Sequence, residues 1–330
     1  MSNLTITDYP WHQGSWAKFV NARSQNHLPH ALLISGMEGT GKLDFARKIV
    51  TSLLCTSPVD NTSCQKCQSC KTYQAGANPD YMQIELLEGK QQISVDQIRQ
   101  LSKFISYTRS FNAYRVILLN PVERMNLNAA NSLLKSLEEP ASNTLIVLVA
   151  TNLGKILPTI KSRCQLLTLP SPNKNQSVQW VRQRLPKSNP EELLDMANMQ
   201  PLNAIKVTDE DIQNREALAT DLLGICTHQK MITEVAKSWE KFDHSILINW
   251  QTNWLIKIIK SKVIDGSTVS GSRQNLGITL SNIKNCLAPD SQWILYHQLI
   301  KQKQYIHTSV NSLLFIENLL LLWLQASRSK

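Results

Sequence analysis

Residues Ser35–Leu43 read S-G-M-E-G-T-G-K-L, and this stretch decides the fold. Its spacing, Gly36, then four residues, then Gly41-Lys42, is that of a phosphate-binding loop. Glycines at Gly36, Gly39 and Gly41 leave room for backbone N–H groups to close around phosphate oxygens, and Lys42 can reach the outer phosphates. The next position breaks the pattern. A Ser or Thr hydroxyl there would hold Mg²⁺, but Leu43 offers no oxygen to a hard cation.

The flanks supply the context such a loop needs. His30–Ser35 (H-A-L-L-I-S) is expected to be a buried parallel strand. Lys42–Leu54 sets Phe45, Ile49, Leu53 and Leu54 at helical spacing. Farther along, strands are expected at Tyr81–Leu86, Arg115–Asn120, Thr144–Thr151 and Gln165–Leu169. Helices are expected at Ser94–Ile105 and at Asn126–Glu139, the second stopped by Pro140. Strands alternating with helices imply a doubly wound parallel α/β sheet around the P-loop-type turn. Its ligand crevice should lie at the carboxyl ends of the strands, where Gly36, Asn120 and Thr151 fall.

Composition changes at Pro170-Ser171-Pro172, and strand signals stop. Asn173–Arg184, Pro190–Asn198 and Pro201–Val207 form a short helical group. Longer amphipathic helices follow, including Ile246–Val263 and Thr308–Arg328, with a polar Gly/Ser segment at Asp265–Asn275 between them. The expected layout is an α/β domain over 1–170, a small helical domain over 171–208 and an all-helical domain over 209–330. Trp250, Trp254 and Ile258 fall at helical spacing and read as a core face, and Leu319–Leu324 as buried helix.

The chain has 330 residues, enough for two or three domains, and a net charge of +10. That charge is compatible with a nucleic-acid partner, and equally with a basic solvated surface, because no dense Lys/Arg block marks a binding stripe. The amino terminus lacks the basic start and apolar run of a signal peptide, and the Leu313–Leu324 stretch is too short to span a bilayer. A soluble, cytoplasmic protein without a membrane partner is expected.

A phosphate-loop ATPase also needs acidic residues at the end of a second apolar strand, to position Mg²⁺ and to orient the attacking water. The corresponding strand here runs into Asn120-Pro121, and neither is a carboxylate. Glu123 lies nearby, past a proline, and reads as a surface residue. Two parts of one catalytic machine are absent from separate segments, so hydrolysis of ATP by this chain is not expected. Gly36, Gly39, Gly41 and Lys42 could still cradle a phosphate without Mg²⁺, or the pocket could be filled by the chain's own N-terminal segment.

Cys55, Cys64, Cys67 and Cys70 have the spacing C-x8-C-x2-C-x2-C. Four thiolates so close in sequence suit a tetrahedral, closed zinc site with a structural role. Cys164, Cys226 and Cys286 are scattered and read as ordinary small residues. Arg163, in L-P-T-I-K-S-R-C (Leu157–Cys164), is placed between the fourth and fifth strands. A lone arginine there is either a solvated charge or a guanidinium able to reach a phosphate on a neighbouring subunit.

The run L-P-H-A-L-L-I-S-G-M-E-G-T-G-K, the four-cysteine insert, N-A-A-N-S-L-L-K-S-L-E-E-P (Asn128–Pro140) and L-P-T-I-K-S-R-C together resemble bacterial clamp-loader subunits of the AAA+ group. The resemblance is dense over residues 9–170 and diffuse beyond. ATP-hydrolysing members keep the Ser/Thr after the loop lysine and a D-E pair at the third strand; this chain departs at Leu43 and at Asn120-Pro121. It also lacks, around Gln200–Ala204, the sensor arginine that members often carry. The departures match a non-hydrolysing subunit of the DNA polymerase III clamp loader.

That resemblance implies a place in a hetero-pentamer with gamma/tau motor subunits and a delta subunit, acting on the sliding clamp and primed DNA through the complex. It implies that Arg163 is a finger reaching a neighbour's ATP, that 171–208 is a lid and that 209–330 belongs to a helical collar. It carries the structural zinc over to Cys55, Cys64, Cys67 and Cys70. The alternatives are an active gamma/tau-like motor subunit, which would turn over ATP, and a free-standing zinc-containing DNA-binding protein, which would bind DNA alone in a salt-sensitive way.

Overall fold

The computed structural model describes residues 8–110, 112–263, 274–306 and 310–328. Two compact units divide the chain, Met1–Gln176 and Ser177–Lys330. The polar segment expected from 265 to 275 lies outside the described residues as far as position 273.

The first unit is built around five strands: β1 (Ala31–Ser35), β2 (Tyr81–Ile84), β3 (Arg115–Leu119), β4 (Thr144–Ala150) and β5 (Gln165–Thr168). All pair in parallel, in the order β2-β3-β4-β1-β5. Six helices accompany them: α1 (Gln13–Ser24), α2 (Lys42–Leu54), α3 (Gln68–Gln74), α4 (Val95–Ser106), α5 (Leu127–Glu138) and α6 (Pro158–Lys161). The doubly covered parallel sheet expected from the alternation is present.

Its two faces follow from the period of two along each strand. Ala31 and Leu33, Ile117 and Leu119, and Ile146 and Leu148 pack on one face with Ile98 and Leu101 of α4 and Leu133 and Leu137 of α5. The intervening Leu32 and Ile34, Val116 and Leu118, and Leu145 and Val147 pack on the other with Phe19 of α1 and Phe45, Ile49 and Leu53 of α2. Each such side chain, taken fully from water, contributes about 1.5–3 kcal/mol. Because β1, β3 and β4 are neighbours, the segments that follow them, at Gly36, Asn120 and Thr151, emerge side by side.

The second unit is helical throughout its described residues. The helices are α7 (Lys174–Arg184), α8 (Pro190–Met196), α9 (Pro201–Ala204), α10 (Asp209–Cys226), α11 (Ile232–Trp239), α12 (His244–Val263), α13 (Gln274–Cys286), α14 (Pro289–Gln302) and α15 (Ser312–Arg328). Trp250, Trp254 and Ile258 do form a buried face of α12. In α15, Leu319, Leu320 and Trp323 are buried while Leu321 is exposed. The Trp323 Nε1–H donates to Gln251 Oε1 at 2.8 Å. Asp195 of α8 accepts from Arg215 Nη1 of α10 at 2.9 Å and from Lys257 Nζ of α12 at 2.7 Å. Among the described residues, no helix is long and apolar enough to cross a membrane.

Candidate functional site

The phosphate-type loop runs from the end of β1 into α2, as its sequence requires. Gly41 is the N-cap of α2 in the left-handed region, at φ 85°. A Cβ there would lie 2.4 Å from the Tyr9 ring, so both the backbone and the packing demand glycine.

The loop is closed by groups of its own chain. Lys42 is 7% exposed, and its Nζ donates to the Met37 carbonyl at 2.7 Å. Thr40 Oγ1 donates to the same carbonyl at 2.8 Å. Burial lowers the Lys42 pKa, and the carboxylates of Glu38 and Glu123 partly offset this. Leu43 packs against the core on the α1/α2 face of the sheet.

Tyr9 and Trp11 seal the outside of the turn. Their rings stack with centroids 5.2 Å apart; Tyr9 Oη donates to Asp44 Oδ2 at 2.6 Å, and Trp11 Nε1 donates to the Thr40 carbonyl at 2.8 Å. His12 lies against Tyr9 and Phe45, and burial pushes its pKa down to about 4, partly opposed by a hydrogen bond to the Thr40 backbone.

At the end of β3, Asn120 and Pro121 occupy the place of the acidic pair. Glu123 differs from its expected role as a surface residue. It is partly buried, and its Oε1 accepts from the backbone N–H groups of Thr151 at 2.9 Å and Asn152 at 3.3 Å. Its carboxylate therefore holds the turn after β4 next to the loop.

The four cysteines converge. Cys55 is the C-cap of α2, Cys67 is the N-cap of α3 and Cys70 lies within α3. All four Sγ atoms lie within 4.8 Å of one another, with Cys55–Cys64 at 3.5 Å and Cys55–Cys67 at 3.9 Å. A tetrahedron of thiolates about 2.3 Å from zinc has edges of about 3.8 Å, so the set fits that ion.

Backbone N–H groups point at the sulfurs: Cys64 to Cys55 Sγ at 3.3 Å, Cys67 to Cys64 Sγ at 3.3 Å and Cys70 to Cys67 Sγ at 3.4 Å. Such donors favour thiolates. At Cys67 burial works upward, yet hydrogen bonds from Thr56 and the Cys70 backbone win and bring the thiol down to about 5. Burial instead raises Cys70 and Cys55. Cys164, Cys226 and Cys286 are not part of the cluster.

Arg163 follows α6 and is 36% exposed. Its Nη2 meets Glu138 Oε1, at the end of α5, at 2.7 Å, and its Nη1 donates to the Thr159 carbonyl at 3.0 Å. The structure thus brings Gly36, Gly39, Gly41 and Lys42 into one loop and the four cysteines into one cluster, and leaves Arg163 with a partner of its own. Sequence reasoning raised the N-terminal segment as a filler of the loop without naming Tyr9 or Trp11, and it missed Glu138. Tyr9 and Trp11 sit at a single 3₁₀ turn, Pro10–His12, too short for a periodicity to reveal them. Glu138 stood inside the L-E-E-P motif, but nothing in the spacing tied it to a residue 25 positions away.

A parallel sheet covered on both faces, with a phosphate-type loop after its first strand, and a helical second unit define a P-loop-like α/β chain. A family model described as DNA polymerase III, delta subunit, matches residues 11–173. DNA polymerase III subunit delta' of Pseudomonas aeruginosa is 32% identical over 325 residues, covering 96% of this chain and 97% of that protein. Its counterpart from Buchnera aphidicola subsp. Schizaphis graminum is 28% identical over 324 residues, 95% of this chain and 96% of that one. A gamma subunit from the same Buchnera strain is 32% identical over 172 residues, 49% of this chain and 47% of that protein. The chain belongs to the DNA polymerase III subunit delta' family.

Proposed function

We propose that this chain is the non-hydrolysing delta' member of a DNA polymerase III clamp loader. In this reading it is a scaffold in a hetero-pentamer with gamma/tau motor subunits and a delta subunit, in the cytoplasm at the replicating nucleoid. The complex, not this chain alone, places the sliding clamp on primed DNA. Arg163 reaches the ATP held by a neighbouring motor subunit. Residues 171–208 serve as the lid and 209–330 as the collar segment that holds the arc together.

The observation that carries this reading is the closed loop. Lys42 is hydrogen-bonded to the Met37 carbonyl, Leu43 lies partly buried against the core, and the seat outside Gly41 is taken by Tyr9. The isolated chain is expected to show no ATP turnover. In a reconstituted complex, Arg163→Ala should lower ATPase at the affected site by on the order of 10³-fold while the complex still assembles. Unchanged activity in an assembled complex would refute the finger. The gamma-like motor reading has support from relatives over about half of the chain, and it predicts turnover by the isolated chain.

Cys55, Cys64, Cys67 and Cys70 would hold the zinc. Bound there, the ion supplies a cross-link and no open coordination position. The chain's own contribution is to present four sulfurs from the end of α2, the intervening turn and the start of α3, steadied by backbone N–H groups.

A further inference from the structure

We propose that Glu138 is a positioning residue for Arg163: its carboxylate holds the guanidinium in the orientation that an incoming nucleoside triphosphate on a neighbouring subunit meets. The proposal rests on the reading of Arg163 as a finger acting in trans and adds to it the group that aims the finger.

The contact joins two motifs that are distant in sequence. Glu138 is the last residue of α5, and Arg163 lies beyond β4 and α6. Packing of α5 and α6 onto one face of the sheet, through Leu133 and Leu137 and through Ile160, fixes both backbones. The two side chains then meet at 2.7 Å. Thr159 takes a second corner of the fork at 3.0 Å, and Ser162 Oγ lies at 3.5 Å from the same Nη1.

A guanidinium has five N–H donors in a rigid plane. Fixing the plane through Glu138 and Thr159 leaves further donors for a phosphate. The side chain is also ordered before the neighbour arrives, rather than during the reaction. Both partners are substantially exposed, at 36% and 48%, and such a pair adds little to stability. Its loss should therefore disturb the aim of the finger and not the fold.

The test uses the reconstituted complex, with this chain alone varied, and DNA- and clamp-stimulated ATPase as the readout. Glu138→Ala is expected to lower kcat at the affected site about fivefold to tenfold, with KM within about twofold. Glu138→Gln keeps an oxygen acceptor for Nη2 and should recover activity to within about threefold of the parent. In the Arg163→Ala background, Glu138→Ala should cost nothing more, because it acts only through the arginine. Thermal unfolding of the full chain should be unchanged.

An effect of Arg163→Ala with none from Glu138→Ala overturns the positioning role and leaves the finger standing. An additive loss in the double variant overturns it too. If Arg163→Ala itself has no effect, the finger reading falls and the inference falls with it. NMR of the Arg163 Nε–Hε group in the full chain gives a reading without ATPase. It should be rigid in the parent and mobile in Glu138→Ala, and equal mobility in both contradicts the clasp.

Discussion

Acidification should loosen the seal over the phosphate-type loop through one residue, His12. Its ring is 5% exposed, with centroids 5.1 Å from Tyr9 and 5.1 Å from Phe45. Its Nε2 is buried without a hydrogen-bond partner among the described residues. Adding a proton there would bury a charge with nothing to receive the new N–H. Burial accordingly holds the folded pKa at about 4, against an ordinary 6.5.

Above pH 6.5 the ring is neutral whether the chain is folded or not, and His12 makes no pH-dependent contribution. Between 6.5 and about 4 the unfolded chain binds a proton that the folded chain refuses, so stability falls as pH falls. The full gap corresponds to about 3.4 kcal/mol at 1.36 kcal/mol per tenfold. Going from pH 7 to 4.5 crosses only part of that gap, about 2 kcal/mol.

The assay is urea unfolding of the full chain between pH 7 and pH 4.5, followed by tryptophan fluorescence, beside the variant His12→Asn. The asparagine amide keeps an N–H donor but does not titrate in this range. The parent should lose about 2 kcal/mol more than the variant over the interval. Equal losses, or a His12 NMR titration midpoint near 6.5, would show that the folded chain does not exclude the proton.

Two further outcomes follow from charged groups elsewhere. The purified protein should carry close to one equivalent of zinc, and Cys64→Ser with Cys67→Ser should abolish it and raise amide exchange over residues 55–74; a metal-free protein with unchanged stability and exchange contradicts the site. Asp195→Ala strands Arg215, which is 2% exposed, and removes the partner of Lys257. Breaking a buried pair costs about 3–5 kcal/mol, and the partial exposure of Asp195 brings the expected loss to about 2–4 kcal/mol in urea unfolding of the second unit. A loss under 1 kcal/mol would show that water already screens the network.

The sheet was legible because each buried strand is a short apolar run and the covering helices α2, α4 and α5 have wide apolar faces. β1, β3 and β4 are buried along their whole length, and their unbroken apolar runs matched that state. α1 was not visible, because its apolar residues form no sustained stripe: of its twelve residues only Ser15 and Phe19 are buried. α3 is only seven residues long and begins inside the cysteine cluster, where thiol spacing dominates the reading. The cysteines could be grouped from sequence because their chemistry is local. Asp195, Arg215 and Lys257 could not, since their partnership arises only when three helices pack. Glu123 was misread for the same reason: its partners are backbone N–H groups of a turn 28 residues away.

The fate of the loop at Ser35–Leu43 is then a matter of competing partners. A nucleotide's phosphates must take Lys42 from the Met37 carbonyl, a charged hydrogen bond contributing about 1.5–3 kcal/mol. If the turn must also open, the bonds from Tyr9 to Asp44 and from Trp11 to Thr40 add about 1.5–3 and about 0.5–1.5 kcal/mol. Together these come to about 3.5–7.5 kcal/mol, a loss of roughly 300-fold to somewhat over 10⁵-fold in affinity at 1.4 kcal/mol per tenfold. No Mg²⁺ ligand at Leu43 is there to offset it. A micromolar site would be driven to the range from a few tenths of a millimolar upward, so the isolated chain should leave ATP unbound at micromolar concentrations. Tight ATP binding by that chain would mean that the three bonds exchange for phosphate contacts at almost no cost, and the closed loop could no longer support a non-hydrolysing role.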